Sequence, residues 1–506
     1  MGKFSQLRCA HGTLRGVLSD EQRYSLRFRA GLWLLALFFC ALPVSAQSGG
    51  ELPAAPTPAA GVLASRLPDW VKVERATGDS LPLSVDDAIA MGLKNNLEVE
   101  LGRQNERRVR GLERTVENNL LPSLQAQAYS RAQEINLRAM GFKPGSVGPL
   151  LGQSGSSIAT IVKVNTTSAQ VQLQQQIFNV PAYFLYKAAK VAVASSNLTT
   201  LNARGDVALS VGSTYLQVIA DGAQIANERS LVKVDEVALQ QARDLQAAGV
   251  GTHLDTLRAQ VQLQSEQQVL VTAEGQFAKD KIALNRRMGI AADQELTLTD
   301  TVPYAELAQM PLPDAMALAF TRRKDLLSLQ AQMEVANQTL KAVRYQRMPT
   351  VAVGGFYGVL GETTGLYHGV FSAKGSLNFP IFREAEFRGE QEVADAQLYG
   401  LRRQIESLRV MIEQQIRSSM LDVESANDLV KVAQSNVVLS RQELDDAQQR
   451  FLAGVSDNLP VVQAEARLAG SQSQVVRTLY QYNAAKLQLA RNVGVVETQY
   501  KSYLGR

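Results

Sequence analysis

Cysteine is nearly missing from this chain: the 506 residues contain two, Cys9 and Cys40, and none beyond. Disulfide scaffolds and thiol chemistry are therefore excluded for everything after position 40. Histidine is almost as scarce, and His11, His253 and His368 stand too far apart in sequence to read as a metal cluster. No nucleophile–base pair, metal-ligand spacing or phosphate-binding loop occurs, so no residue reads as catalytic, cofactor-binding or metal-binding. A long apolar run is lacking too: past residue 50 no eighteen consecutive residues are apolar, which excludes a membrane-spanning helix there. Any membrane contact is then made by a surface or by a β-barrel.

An excess of one charge is absent where it would matter. The chain has 52 Lys/Arg, 48 Asp/Glu and a net charge of +4, but residues 1–46 hold six of the former and two of the latter, leaving 46 of each. That neutral remainder offers no electrostatic footprint for nucleic acid. Residues 1–46 read as a secretory signal peptide. Arg23, Arg27 and Arg29 precede the apolar run from Ala30 to Val44, and Val44-Ser45-Ala46 supplies a small-x-small cleavage site. Phe38-Phe39 ahead of Cys40 does not make a lipobox, so the exported chain is expected to carry no lipid, and both cysteines leave with the signal. Residues 47–83, with Pro53, Pro56 and Pro58, read as a Pro/Ala-rich extended segment.

The chain is rich in repetition. One pattern covers 84–290 and again 313–494, with a linker at 291–312 and a tail at 495–506. Asp87-Ala88 recurs as Asp314-Ala315, Leu121-Pro122-Ser123 as Met348-Pro349-Thr350, and Ile177-Phe178 as Ile381-Phe382. Ala248-Gly249-Val250 returns as Ala453-Gly454-Val455, and Gly289 as Gly494. Repetition at this scale signals an architecture built around an axis. Ser84, with Asp86 and Asp87 behind it, opens a helix expected to run to about Asn119, where Pro122 ends it.

After Pro122 the period changes to two. Leu124, Ala126 and Ala128 alternate with Gln125, Gln127 and Tyr129; Val171 and Leu173 alternate with Gln170, Gln172 and Gln174. In the second repeat Phe371, Ala373 and Leu377 face away from Ser372, Lys374 and Ser376. These are half-wet strands of about ten residues in two hairpins, at about 123–178 and 350–380, which is enough to cross a bilayer at a tilt. The first hairpin has the longer loop, at about Arg131 to Asn165. The rest is helix: Pro181 to about Gln246, and about Glu384 to Leu452, each roughly 100 Å long at 1.5 Å per residue. Ile416, Ser419, Val423, Ala426 and Val430, continuing to Phe451, recur at spacings of three and four, the 3.5-residue mark of helices wound on neighbours. Val211, Tyr215, Val218, Gly222 and Ile225 do the same in the first half. Each long helix turns back at a glycine, and a return helix of about half its length comes next, Leu254 to Met288 or Leu459 to Asn492.

Four strands cannot close a barrel, and an open edge cannot face lipid, so the chain is expected to assemble with copies of itself; two copies give a barrel filled by side chains, three give one with a lumen. Here the chain resembles a family. Asp87-Ala88, Asn95-Asn96-Leu97-Glu98 and Leu120-Leu121-Pro122-Ser123-Leu124 look like the opening of TolC-like outer-membrane efflux proteins. Ser376-Leu377-Asn378-Phe379-Pro380-Ile381-Phe382 resembles that family's strand-to-helix junction. The resemblance implies a mixed α and β membrane protein. In it, long coiled-coil hairpins form a periplasmic α-barrel, and four strands per subunit contribute to a trimeric twelve-stranded barrel in the outer-membrane lipid. It implies an exit duct for efflux or type I secretion, with a periplasmic adaptor (membrane fusion) protein and an inner-membrane pump as partners. By the same resemblance Gly249, Val250 and Leu254, with Gly454, Val455 and Leu459, match the tips that meet the adaptor. Asp255, Arg258, Gln463 and Glu465 are the candidates for a periplasmic gate. Pro460 and Gln463 stand where the first repeat has Asp255 and Arg258, so the second repeat lacks that acid. The competing class is a trimeric, surface-anchored coiled-coil structural or adhesive protein; such stalks run uninterrupted, whereas this chain turns back at Gly249 and Gly454.

Overall fold

The computed structural model describes residues 78–136, 139, 161–300, 304–308, 310–453, 455–456 and 459–505. The signal peptide, nearly all of the Pro/Ala-rich segment, most of the first hairpin's loop and Gly454 lie outside these residues. The first repeat runs β1 (Leu81–Leu83), α1 (Val85–Asn95), α2 (Leu97–Glu117), β2 (Ser123–Asn136), β3 (Ile161–Phe178), α3 (Val180–Ala247) and α4 (His253–Met288). After β4 (Leu296–Leu298) comes the second, as α5 (Leu312–Arg322), α6 (Lys324–Arg344), β5 (Thr350–Glu362), β6 (Tyr367–Asn378), α7 (Glu384–Leu452) and α8 (Leu459–Val493). A last helix, α9 (Val496–Leu504), closes the chain.

Two helices end to end lie beside each long one. α3 packs on α2 along one half and on α4 along the other, and α7 does the same with α6 and α8. The seam read from the sequence is the packed one. On α7 the positions from Ile416 to Phe451 at spacings of three and four are all buried or half-buried, and on α3 so are Val211, Tyr215, Val218, Gly222 and Ile225. The main core sits at the waist, near the midpoint of both long helices. There Leu83, Ile89, Val211, Tyr215, Leu284 and Met288 pack with Ile412, Ile416, Leu487 and Val493.

The waist departs from the expected single helix over 84–119. That helix breaks at Asn96, whose backbone leaves the helical region (φ −63°, ψ 134°). Asn96 ends α1 and begins α2 by accepting from Glu98 N, while its Nδ2 donates to the Arg287 carbonyl at 2.8 Å. The break accommodates Gly289, the left-handed cap of α4 (φ 73°); a Cβ there would stand 2.6 Å from the Asn95 carbonyl oxygen. The second repeat makes the same joint. α5 and α6 meet at Arg323, Gly494 (φ 87°) caps α8, and a Cβ on Gly494 would lie 2.9 Å from Arg323 N. Arg323, itself buried, donates to the Asn492 carbonyl and pairs with Asp325 at 2.6 Å.

Two further elements replace the expected linker and tail. β1 and β4 pair in parallel, Leu81 with Leu296 and Leu83 with Leu298, joining the two ends of the first repeat. The tail at 495–506 is mostly helix: α9 buries Val496, Tyr500, Tyr503 and Leu504, and Tyr500 Oη donates to Asp86 at 2.7 Å. The stretch between β4 and α5 is held by α8. Lys486, fully buried, donates from Nζ to the Ala305 carbonyl at 3.0 Å and lies over the Tyr482 ring; burial lowers its pKa to about 8.

Gly494→Val is expected to destabilise the assembled protein by about 3 kcal/mol, combining left-handed strain with a backbone clash. Gly249→Val, with the same backbone sign but open space around it, is expected to cost distinctly less. Thermal unfolding midpoints of the two variants, compared side by side, check this order.

Candidate conduit site: the sheet, its rim and the helical turns

The four long strands form one antiparallel sheet in the order β2-β3-β5-β6. They run 14, 18, 13 and 12 residues, longer than the ten or so expected. The first hairpin stays paired to Asn136 opposite Ile161, so Arg131 and Asn165 belong to strands, not to the loop. Register sorts the two faces. Leu124 stands opposite Leu173, Val171 opposite Tyr357, and Tyr357 opposite Phe371, all on one face. Gln127 stands opposite Gln170 and Gln125 opposite Gln172, with Ser372, Lys374 and Ser376 on the same other face. The apolar face is uncovered: Phe371 is 79% exposed and Leu124 70%. Such a sheet is stable where hydrocarbon meets one side and water the other.

Where strands pass into helices, aromatic and charged side chains form a rim. Phe184 stacks on Tyr345 with ring centres 5.1 Å apart, and Phe382 is 96% exposed. Rings with one apolar side and a wet edge suit the boundary between lipid and water. Just below them Glu384 accepts from Arg347 and from Arg388, which hold its carboxyl down to about 2. The recurrence of Ile177-Phe178 as Ile381-Phe382 marks this rim in the sequence; the Arg347–Glu384 pair, 37 residues apart, leaves no such mark.

At the opposite end the two helical hairpins turn. Val250 N donates to the Leu245 carbonyl at 3.0 Å, and Val455 N donates to the Arg450 carbonyl at 3.1 Å, the same six-residue closure in both repeats. In the first, Gly249 is left-handed (φ 76°); its counterpart Gly454 falls outside the described residues. Val250, Leu254, Val455 and Leu459 are all exposed there, so each turn presents an apolar pair. Thr252 and Asp255 form a capping box: Asp255 N donates to Thr252 Oγ1 at 3.2 Å, and Thr252 N donates to Asp255 Oδ2 at 3.3 Å, with Thr252 Oγ1 donating to the same carboxyl at 2.5 Å. These bonds from Thr252 lower the Asp255 pKa, helped by Arg258 at 3.7 Å. Of the other gate candidates, Gln463 is exposed on α8, and Glu465 is half-buried where it senses Asp235 of α3.

A family model described as outer membrane efflux protein matches residues 89–290 and 316–495, most of the chain and both repeats. The chain belongs to the outer membrane efflux protein family. It is thus an outer-membrane protein whose membrane element is the sheet; no helix among the described residues is long and apolar enough to cross. Over 427 residues it is 22% identical to the solvent efflux pump outer membrane protein SrpC of Pseudomonas putida, spanning 79% of this chain and 83% of that protein. Its fold matches a membrane protein from Pseudomonas aeruginosa with a TM-score of 0.70 at 18% identity, covering 81% of this chain and 93% of that one. The Campylobacter jejuni CmeC outer membrane channel gives a TM-score of 0.71 at 13% identity, over 81% and 86%. The mixed architecture of long helical hairpins below a half-wet sheet is therefore the fold of this family of outer-membrane channels.

Removing the N-cap by Thr252→Val is expected to weaken the first turn of α4 by about 1 kcal/mol. Amide exchange over 253–257 should quicken about fivefold, with no change at the waist; hydrogen-exchange mass spectrometry reads both.

Proposed function

We propose that three copies of this chain form a passive exit duct through the outer membrane. The inner-membrane pump of an efflux or type I secretion system would drive transport, reached through a periplasmic adaptor. The observation that carries this reading is the four-stranded sheet with an uncovered apolar face and two unpaired edges, on β2 and β6. In hydrocarbon each unpaired peptide group costs several kcal/mol, so β6 of one copy must pair with β2 of the next. Closure at three copies gives twelve strands around a water-filled lumen lined by the glutamine- and serine-rich face. Below the membrane, Leu429, Val432 and Leu439 leave a further apolar stripe uncovered on α7, at spacings of three and seven, suited to a neighbouring copy. Relatives named for solvent and toluene efflux pumps support the efflux role.

The tips complete this reading. The apolar pairs Val250 with Leu254 and Val455 with Leu459 are the surfaces assigned to the adaptor, with Gly249 and Gly454 shaping the turns. Asp255 and Arg258 of α4, with Gln463 and Glu465 of α8, are the groups assigned to the gate.

Because the exported chain has no cysteine of its own, introduced pairs report without background. Combining a cysteine at Gln125, Gln127 or Tyr129 with one at Ser372, Lys374 or Ser376 should give, for at least one pair, an oxidised ladder ending at three copies. The purified protein should also conduct ions across a planar bilayer. A ladder ending at two, or a water-soluble product without conductance, would defeat the proposal. Separately, Gly249→Val is expected to impair export in susceptibility assays while cross-linked trimer persists; wild-type export from that variant would remove the tips from the account.

A further inference from the structure

Along the distal half of the stalk, where α3, α4 and α8 meet, acids stand in the seam. On α3, Asp221, Glu228 and Asp235 are seven residues apart and share one face over about 21 Å of helix. At the upper level Asp221 lies within hydrogen-bonding reach of Asp280 on α4, next to Tyr480 on α8. At the lower level Asp235 faces Glu266 on α4 and Glu465 on α8. Between the levels, Gln224 of α3 donates to Glu228 and to Ser473 of α8. A cavity of about 250 Å³ opens here, lined by Glu228, Asp235, Glu266 and Glu465, with no lysine or arginine in its wall.

Asp235 is nine-tenths buried, and its Oδ2 meets no donor among the described residues; Asp221 Oδ2 is likewise buried without one. Cations near the seam are engaged elsewhere or act on other groups. Arg229 of α3 pairs with Glu274 of α4 at 2.8 Å, Arg467 of α8 pairs with Glu443 of α7, and Arg287 of α4 acts on Tyr480. No set of three such groups among the described residues is placed to hold a metal ion. The neighbouring Asp280 carboxyl favours the protonated form of Asp221.

We propose that this acidic seam is a proton-operated joint between the α3–α4 hairpin and α8: protonated, it holds the three helices together; ionised, it pushes them apart towards the tips. Burial raises Asp221 and Asp235 to about 6, and the facing acids add to both shifts; Glu228 and Glu465 are raised by burial and by their acidic neighbours. Because these folded-state pKa values exceed the ordinary aspartate value near 3.8, the folded seam binds more protons than an unfolded one between about pH 4 and 6. Its stability is therefore greatest at the acid end. Stability falls as pH rises from about 4 to about 6 and stays flat above.

Hydrogen exchange on the assembled protein in lipid discs tests the joint. After correction for intrinsic rates, protection of α3 over 221–239 should fall at least about tenfold from pH 5 to pH 7.5, the equivalent of one pKa unit, levelling off just above pH 6. The waist segment 207–216 should not change. Asp221→Asn combined with Asp235→Asn should hold protection high at both pH values. Glu465→Gln alone, which removes the charge facing Asp235, should move the levelling-off to lower pH and leaves a test if the double variant fails to assemble. Equal wild-type protection at both pH values, or an unshifted levelling-off in Glu465→Gln, overturns the joint. Bilayer conductance at fixed pH reads the duct separately, so a protein that fails to conduct yet shows the exchange transition loses the duct and keeps the joint.

Discussion

A left-handed glycine pressed against the break between two short helices is the contact on which the stalk depends. Gly289 makes it on Asn95, and Gly494 makes it on Arg322 and Arg323. Among the described residues, a helix of 68 or 69 residues does not pack along the other long one. It is covered only because a return helix ends where an opening helix begins, and the return helix must stop at that level without intruding. Glycine lets the chain leave α4 and α8 with a positive φ, and the missing side chain lets a backbone carbonyl or amide come within van der Waals distance. The core of Ile89, Val211, Leu284, Ile412 and Leu487 packs around these two points, at the level where the axial gap between short helices would otherwise open.

From this waist the two ends acquire different characters. Upward, Asn179 caps α3 as it leaves the sheet, and the ion pairs of Arg347, Arg383 and Arg388 hold the start of α7. Downward, small seam residues, internal hydrogen bonds and paired acids replace the large apolar side chains of the waist. The main buried apolar cluster thus lies at the waist, and buried apolar side chains towards the turns, such as Leu239 and Val461, stand outside it.

Much of this is legible in the sequence, and the failures share a cause. The seam of α7 is readable because eleven positions keep a spacing of three and four without interruption, and the two sheet faces because glutamine and serine alternate with leucine, valine and phenylalanine. Both are periodic signals. The break at Asn96 is hidden because Asn95-Asn96 sits inside an otherwise helical run, and only Gly289, almost two hundred residues away, makes the break necessary. β1 and β4 are three residues each, too short to show a period. α9 reads as a tail because the burial of Tyr500, Tyr503 and Leu504 depends on the waist cluster, whose other members lie mostly far back in the chain. At the tips, sequence identifies the exposed apolar pairs, but it reads Asp255 only as a gate candidate and not as half of a capping box.

The parallel pairing of β1 with β4 has a consequence for how the chain comes together. It fastens the two ends of the first repeat to each other, while α3 still packs on α6 and β3 still pairs with β5 of the second repeat. The last helix does the opposite. Tyr500 and Lys501 reach Asp86, and Glu497 reaches Arg204, joining the end of the chain to positions roughly three to four hundred residues earlier. The waist draws on both repeats, so it closes only as the second half of the chain arrives. The order is built into the connectivity: α9 acts as a latch that fastens only when the whole subunit is present, so an unfinished chain keeps its waist open.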